Sequence, residues 1–499
     1  MKKILLYIAT AALALTTTSC ELDFDPQGGT YTDEMMQEYI KDHPDEVLGS
    51  FAQNIVGTMR GYKLAHFPMD LQGNDMVLYN TTNYYKSEYQ FLNLRGDTDG
   101  FAGGKWGYYY GLIYMSNQIL SSIPEIDEAG TLTESSKKVL SYKALALTFR
   151  GMGYYYLMTL FQDDYTYGGK EKLGVPIYTY EGQPAGPRAT SDESFEQAVN
   201  DLKEAVRLYD LVGYDPLAEV EDIDQSIANL LLARAALTWD KYDDAIKAAE
   251  AVIGAGYHLM SEADYVTTID KDRQPVGNGF QIADLPEALM SYRWTQNTTQ
   301  GVSAFASFIS PTGSGYASEQ GGGYFICIDQ QLYDEIPNTD YRKKNFMTND
   351  VVDAAHDNKM IFPKYVNTKF AVPSYEADEV YFRLSEAYLL KAEAEAAKGD
   401  YSAAQNTLYE LVSKRDKGYK KSTKTGDALM VEIHLQSRIE LWGEGHEYYT
   451  NKRFNVGVDR SGSDNHVDRS IHPAGKFFTY LIPKTEMQRN PAITENNPL

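Results

Sequence analysis

The chain has 499 residues, with 70 acidic against 46 basic side chains and a net charge of −24. Such a surface repels nucleic acid and anionic lipid headgroups, which argues against both as partners. Beyond the first twenty positions no apolar run reaches the roughly 18 residues a transmembrane helix needs.

Residues 1 to 19 read as a secretory signal peptide. Lys2 and Lys3 form the positive start, Ile4 to Leu15 an apolar stretch too short to span a bilayer, and Thr17 to Cys20 a small-residue cleavage region. Removal of the peptide takes away Lys2, Lys3 and no acid, so the charge of −24 becomes −26. The segment resembles the export signal of bacterial lipoproteins, whose cysteine after the cut is acylated, although Thr17 stands where that pattern prefers Leu. The resemblance makes Cys20 the lipidation site, palmitate-type chains anchoring the protein at about 0.8 kcal/mol per buried methylene. An ordinary signal peptide with a chance cysteine is the alternative. Residues 20 to 30, opening Glu21-Leu22-Asp23-Phe24-Asp25-Pro26, are too short and polar for a core and form a tether. Residues 31 to 499 are assigned to a single domain.

The fold class expected for that domain is mainly α, with helix pairs of tetratricopeptide type under a loop-rich region with short strands. Helical segments are predicted at 106–123 and 141–161, the second apolar nearly all round and so buried. Gly168 to Arg188 is too rich in Gly and Pro for continuous helix. Thr190 and Glu193 have the spacing of a capping box, and the helix they open, over 190–210, shows Phe195, Val199, Leu202, Val206 and Tyr209 on one face. Two further pairs, 226–253 and 380–412, are internal copies. Ala228, Leu230, Leu231, Ala233 and Ala235 recur 159 residues on as Ala387, Leu389, Leu390, Ala392 and Ala394, and Tyr242 and Ala245 as Tyr401 and Ala404. Small residues one heptad apart let partner helices approach closely. Their Tyr-x-x-Ala turn resembles tetratricopeptide pairs. Between the copies, residues 259–349 lack helical period and read as loops and short strands. Cys327 in Tyr324-Phe325-Ile326-Cys327-Ile328 reads as a core strand position.

Residues 437–499 carry a resemblance over nearly the whole chain. Arg438-Ile439-Glu440-Leu441-Trp442-Gly443-Glu444-Gly445, Arg453, Ile482-Pro483-Lys484-Thr485-Glu486, Asn490-Pro491 and Asn497-Pro498 are similar to the closing signature of the SusD/RagB family. Gly186-Pro187-Arg188-Ala189-Thr190, and Trp106 with Tyr110 and Asn117, resemble other elements of that family. These are nutrient-binding lipoproteins on the outer face of the Bacteroidetes outer membrane. The resemblance implies capture of an oligosaccharide, or in some branches a peptide, by a lid on a SusC-like TonB-dependent transporter, with no catalysis and no cofactor. Glu447 and Thr450 depart from the family's usual Arg and Asp, positions taken as structural ion pairs. Glu440 and Glu444 are taken as partners of Arg438, Arg453 and backbone amides.

The ligand residues come from composition and position instead. The 40 tyrosines outnumber the 19 phenylalanines about two to one, as a wet stacking face requires, since the ring packs on a sugar while the hydroxyl stays solvated. They concentrate in Asp70 to Phe91 and in Tyr292 to Tyr324. Tyr292, Trp294 and Tyr316, with Tyr79 and Tyr84, are the candidate platform. Asp75, Asn83, Gln296 and Asn297 are the candidate hydrogen-bonding groups.

A tetratricopeptide scaffold without a small-molecule ligand and a glycoside hydrolase are the rival classes. The hydrolase would need two positioned carboxylates, and Glu440 with Glu444 is the pair whose spacing invites that reading. No metal motif is complete. His446-Glu447-Tyr448-Tyr449-Thr450 lacks a second histidine, and Asp97-Thr98-Asp99-Gly100 meets Tyr108 where a calcium loop would close with Glu.

Overall fold

The computed structural model describes residues 32–80, 84–92, 96–277, 279–294, 301–374 and 377–498. Cys20, the signal peptide and the tether lie outside them. No helix among the described residues is long and apolar enough to cross a membrane.

Seven helices form the frame, each packed on the next: α1 Gly100–Ser122, α2 Glu134–Phe161, α3 Ser191–Val212, α4 Gln225–Thr238, α5 Tyr242–Ile253, α6 Leu384–Lys398 and α7 Tyr401–Arg415. Local chemistry sets their starts. Asp99 accepts the amides of Phe101 and Ala102 at 3.1 and 3.3 Å and caps α1, so the Asp97 to Gly100 stretch is the entry to a helix. At α3 the capping box forms as expected, Thr190 Oγ1 accepting the Glu193 amide at 3.2 Å and Glu193 accepting the Thr190 amide at 2.8 Å.

Helix α2 is buried without a break from Ala144 to Phe161. It can hold Arg150 there because every guanidinium nitrogen has a partner: Nε and Nη2 donate to Asp201 at 2.8 and 2.7 Å, and Nη1 to Asn117 and the Thr179 carbonyl, both at 2.9 Å. Next along, Gly151 lets α3 close in, since a Cβ there would lie 2.6 Å from Leu202.

The two sequence copies, α4 with α5 and α6 with α7, stack directly, α5 against α6. Ala228, Ala235, Ala387 and Ala394 are fully buried at the contacts. Arg234 on α4 binds Glu386 on α6 through two bonds of 2.5 and 2.6 Å. Residues 254–383 are thus an excursion between neighbouring helix pairs. The antiparallel pairing of Ala288–Tyr292 with Glu379–Arg383 ties its middle to its end, just before α6. A second short pair, Met76–Leu78 with Ile326–Ile328, joins the excursion to the N-terminal third, and Cys327 is buried in it as expected. Burial holds the Cys327 thiol well above its ordinary pKa.

The C-terminal signature closes the core. Glu440 accepts hydrogen bonds from Arg342 at 3.0 Å, Arg383 at 3.0 Å and Arg415 at 3.1 Å. Glu444 accepts from Lys369 at 2.7 Å and from Arg383 at 2.7 and 2.8 Å. The partners expected from sequence, Arg438 and Arg453, lie elsewhere: Arg438 binds Asp75 and Arg453 binds Glu393. Arg188 and Asn497, 309 positions apart, meet at 2.8 Å and lash the chain end to the α2–α3 connection.

Candidate ligand-binding site

Aromatic side chains from the two tyrosine-rich stretches meet at one surface. At its base are the buried rings of Phe67 and Phe305, edge to face with centroids 6.0 Å apart. Tyr85 packs edge-on against both Phe67, at 5.2 Å, and Phe308, at 5.3 Å. Above them Tyr84 meets Phe308 at 5.4 Å, Tyr316 at 4.2 Å and Tyr324 at 6.3 Å. Tyr84 is 38% exposed and Tyr79, edge-on to Phe325, 41%. The neighbouring Tyr316 hydroxyl raises the pKa of Tyr84.

A tightly folded loop fixes the second half of this platform. Ser307 accepts the amide of Tyr316 on its hydroxyl at 3.2 Å and that of Ala317 on its carbonyl at 2.9 Å. The Ser318 carbonyl gathers the amides of Gly321, Gly322 and Gly323 at 3.2, 3.2 and 2.8 Å. Only glycine fits at 321, where a Cβ would fall 1.8 Å from the Gly315 carbonyl oxygen. Tyr324 then donates its amide to the Tyr316 carbonyl at 3.2 Å, so both rings rise from one hydrogen-bonded turn. Rigid rings with wet hydroxyls can stack on an apolar ligand face and hydrogen-bond at its rim.

The structure divides the sequence-derived candidates. Tyr84 and Tyr316 come together, and Tyr79 stands exposed on Phe325, whose neighbour Tyr324 also meets Tyr84. Tyr292 and Trp294 touch each other at 4.6 Å but belong to a different wall. The strand ends at Tyr292, Trp294 is buried, and Tyr292 packs on Tyr381 at 6.4 Å beneath Arg60. Trp294 is therefore a packing residue and no platform. Asp75 is also corrected. Its carboxylate is buried and accepts both forks of Arg438, one at 2.8 Å, so it is held inside the core and not presented to a ligand. Asn83, Gln296 and Asn297 lie outside the described residues, as does Cys20. Ser307 and Ser318, which hold the loop, went unnoticed in the sequence. Their signal was the spacing of small residues through Ser307, Gly315, Ser318 and Gly321.

Neither Glu440 nor Glu444 faces this surface or any solvent. Among the described residues no group of three or more His, Cys, Asp or Glu side chains is placed to hold a metal ion.

Two family models match the chain. One described as starch-binding associating with outer membrane covers residues 31–234, and that of the SusD family covers residues 358–499. This chain belongs to the SusD family. The SusD-like protein P2 of Formosa agariphila is 22% identical over 98% of this chain and 99% of its own length. Among solved structures, a SusD superfamily protein from Bacteroides thetaiotaomicron superposes with a TM-score of 0.71 at 23% identity, covering 91% of this chain and 99% of that one. A SusD-like carbohydrate-binding protein from Bacteroides vulgatus gives 0.70 at 22%, covering 91% and 97%. A laminarin-binding SusD-like protein gives 0.63 at 18%, covering 90% and 98%. Identities this low establish a shared SusD fold, and the helical frame above is that fold.

Proposed function

We propose that the protein captures an oligosaccharide on the platform of Tyr84, Phe308, Tyr316 and Tyr324. The observation that carries this reading is the joining of two distant tyrosine-rich stretches into one exposed, hydrogen-bonded aromatic surface. The outer-membrane description of the matched family and the carbohydrate-binding relatives support it. In this reading Cys20 is acylated, the chain hangs from the outer membrane by residues 20 to 30, and it works as a lid delivering ligand to a SusC-like TonB-dependent transporter. It binds without catalysis, because the one carboxylate pair at suggestive spacing, Glu440 and Glu444, is spent on buried cations.

Screening the mature protein against neutral oligosaccharides and peptides by intrinsic fluorescence tests the reading. A saccharide that quenches tyrosine emission, weakened in the Tyr316→Ala variant, is the expected result. Binding of peptides alone would overturn it. Deletion of Asp23 to Pro26 should impair uptake by cells while affinity in solution stays unchanged, and equal loss of both would refute the tether.

A further inference from the structure

Away from the platform, and sharing no lining residue with it, the excursion encloses a cleft of about 520 Å³. Its walls are the Thr268–Ile269 strand, the turn Tyr341–Asn345 and the following segment to Val351. Lys343 lines the cleft half-buried, donating to the Ile336 carbonyl at 2.7 Å with its ammonium 4.5 Å from the Tyr333 ring centre. No carboxylate of the described residues pairs with it, and the carbonyl bond leaves ammonium hydrogens to spare. Asp340, the one acidic residue in the described lining, is buried and neutralised by Arg342, whose Nη2 donates at 2.6 Å and Nε at 3.0 and 3.1 Å. At the rim Lys344 and Glu262 cancel at 2.5 Å. Asp350, next to the lining, accepts the amide of Lys364 at 2.7 Å. What remains in the described lining is one ammonium without a carboxylate partner, held in place by a ring and a carbonyl, with the Asp350 carboxylate beside the lining, in a chain of charge −24. At physiological salt charges beyond about 8 Å are screened, so the groups in and beside the cleft decide what enters, and Lys343 is the cation of the described lining left free of a carboxylate.

Asn338, Thr348 and Asn349 add exposed amides and a hydroxyl around an apolar floor of Ile269, Phe346 and Met347. Hydroxyl-matching groups over an apolar floor suit a sugar ring, and the fixed ammonium suits an oxyanion on it. We propose that this cleft is a second saccharide site that takes a sugar unit bearing a carboxylate or a sulfate, with Lys343 as its anion-binding residue. The word sugar rests on the glycan-binding reading above; the site and its charge preference do not.

The test is calorimetric titration of the mature protein with trigalacturonate, its methyl ester, a sulfated carrageenan oligosaccharide and an acidic tripeptide. At least one of the two anionic saccharides should bind, more weakly as salt rises, and in the Tyr84→Ala background, which weakens the platform, the neutral ester should bind more weakly than they do. Lys343→Ala should lower affinity about tenfold, as for loss of one charge-assisted hydrogen bond, Lys343→Arg should restore most of it, and Tyr84→Ala should leave it unchanged. Carboxylate and sulfate arms tell which oxyanion is preferred. Failure of both anionic saccharides, equal binding of the ester, or indifference to Lys343→Ala would overturn the site, and equal binding of the tripeptide would overturn the sugar. If neutral oligosaccharides bind at the platform while both anionic ones fail, only the cleft is refuted. If the reverse holds, only the platform is.

Discussion

Several buried charges in this molecule are answered by partners of opposite sign, and Glu440 is the densest case. Its carboxylate lies among Arg342, Arg383 and Arg415, all fully buried, and these cations hold its pKa well below the usual carboxylate range against the cost of burial. Removing one partner of such a set leaves the others uncompensated, an effect of about 3–5 kcal/mol. Glu440→Gln should therefore lower stability in urea by that order, and a change within about 0.5 kcal/mol, the range of ordinary surface substitutions, would contradict the network. Because the folded pKa is depressed, this contribution is present above the unfolded value near 4.3 and lost as pH falls below it. The sequence made Glu440 legible as structural but misnamed its partners. Arg342, Arg383 and Arg415 sit 98, 57 and 25 positions away, and no spacing announces such contacts. Asp75 was misread for the same reason: it lies in a tyrosine-rich stretch, while the arginine that claims it is 363 residues downstream.

At the scale of elements, the signals that proved readable are local. A capping box and an apolar helix each depend on neighbours within a turn or two, and both form, although the apolar helix starts at Glu134 instead of 141, and residues 380–383, expected at the head of a helix pair, are strand. What the repeat could not reveal is that its copies touch, because the 130-residue excursion between them, 254–383, hides their adjacency in sequence. Helix starts and helix contacts yield two measurements. Asp224 caps α4 by accepting the Ile227 amide at 3.0 Å, and burial pushes its pKa up to about 7. A carboxyl raised in the folded state contributes most below its unfolded pKa near 3.9 and loses that contribution as pH climbs to the folded value. Asparagine caps equally well without ionising. Asp224→Asn should thus gain stability relative to the parent between about pH 4 and 7, with no further gain above, as read from urea midpoints. A difference that does not vary with pH would show that Asp224 is not buried as described. At the α2–α3 contact, Gly151→Ala places a methyl against Leu202 and should cost about 1–3 kcal/mol, measured the same way, whereas a stabilised variant would mean the helices stand further apart.

For the whole molecule, the helical frame fixes geometry and the excursion supplies surface. Its return strand pairs Glu379–Arg383 with Ala288–Tyr292, and its outward loops carry Phe308, Tyr316 and Tyr324 to Tyr84 of the N-terminal third. Tyrosine excess pointed to both stretches, and Tyr84 and Tyr316 were readable as candidates. Which rings would be wet was not, since Trp294 and Tyr84 look alike in sequence and differ only in what packs over them. The central claim is that the platform holds the saccharide, and one measurement bears on it directly. The neutral oligosaccharide bound tightest by the parent is titrated into Tyr84→Ala, Tyr84→Phe and Trp294→Phe. Loss of the Tyr84 ring should weaken binding roughly three- to tenfold, about 1 kcal/mol of stacking, while Tyr84→Phe keeps most of the affinity and Trp294→Phe all of it. Unchanged affinity in Tyr84→Ala, or loss confined to Trp294→Phe, would contradict the account.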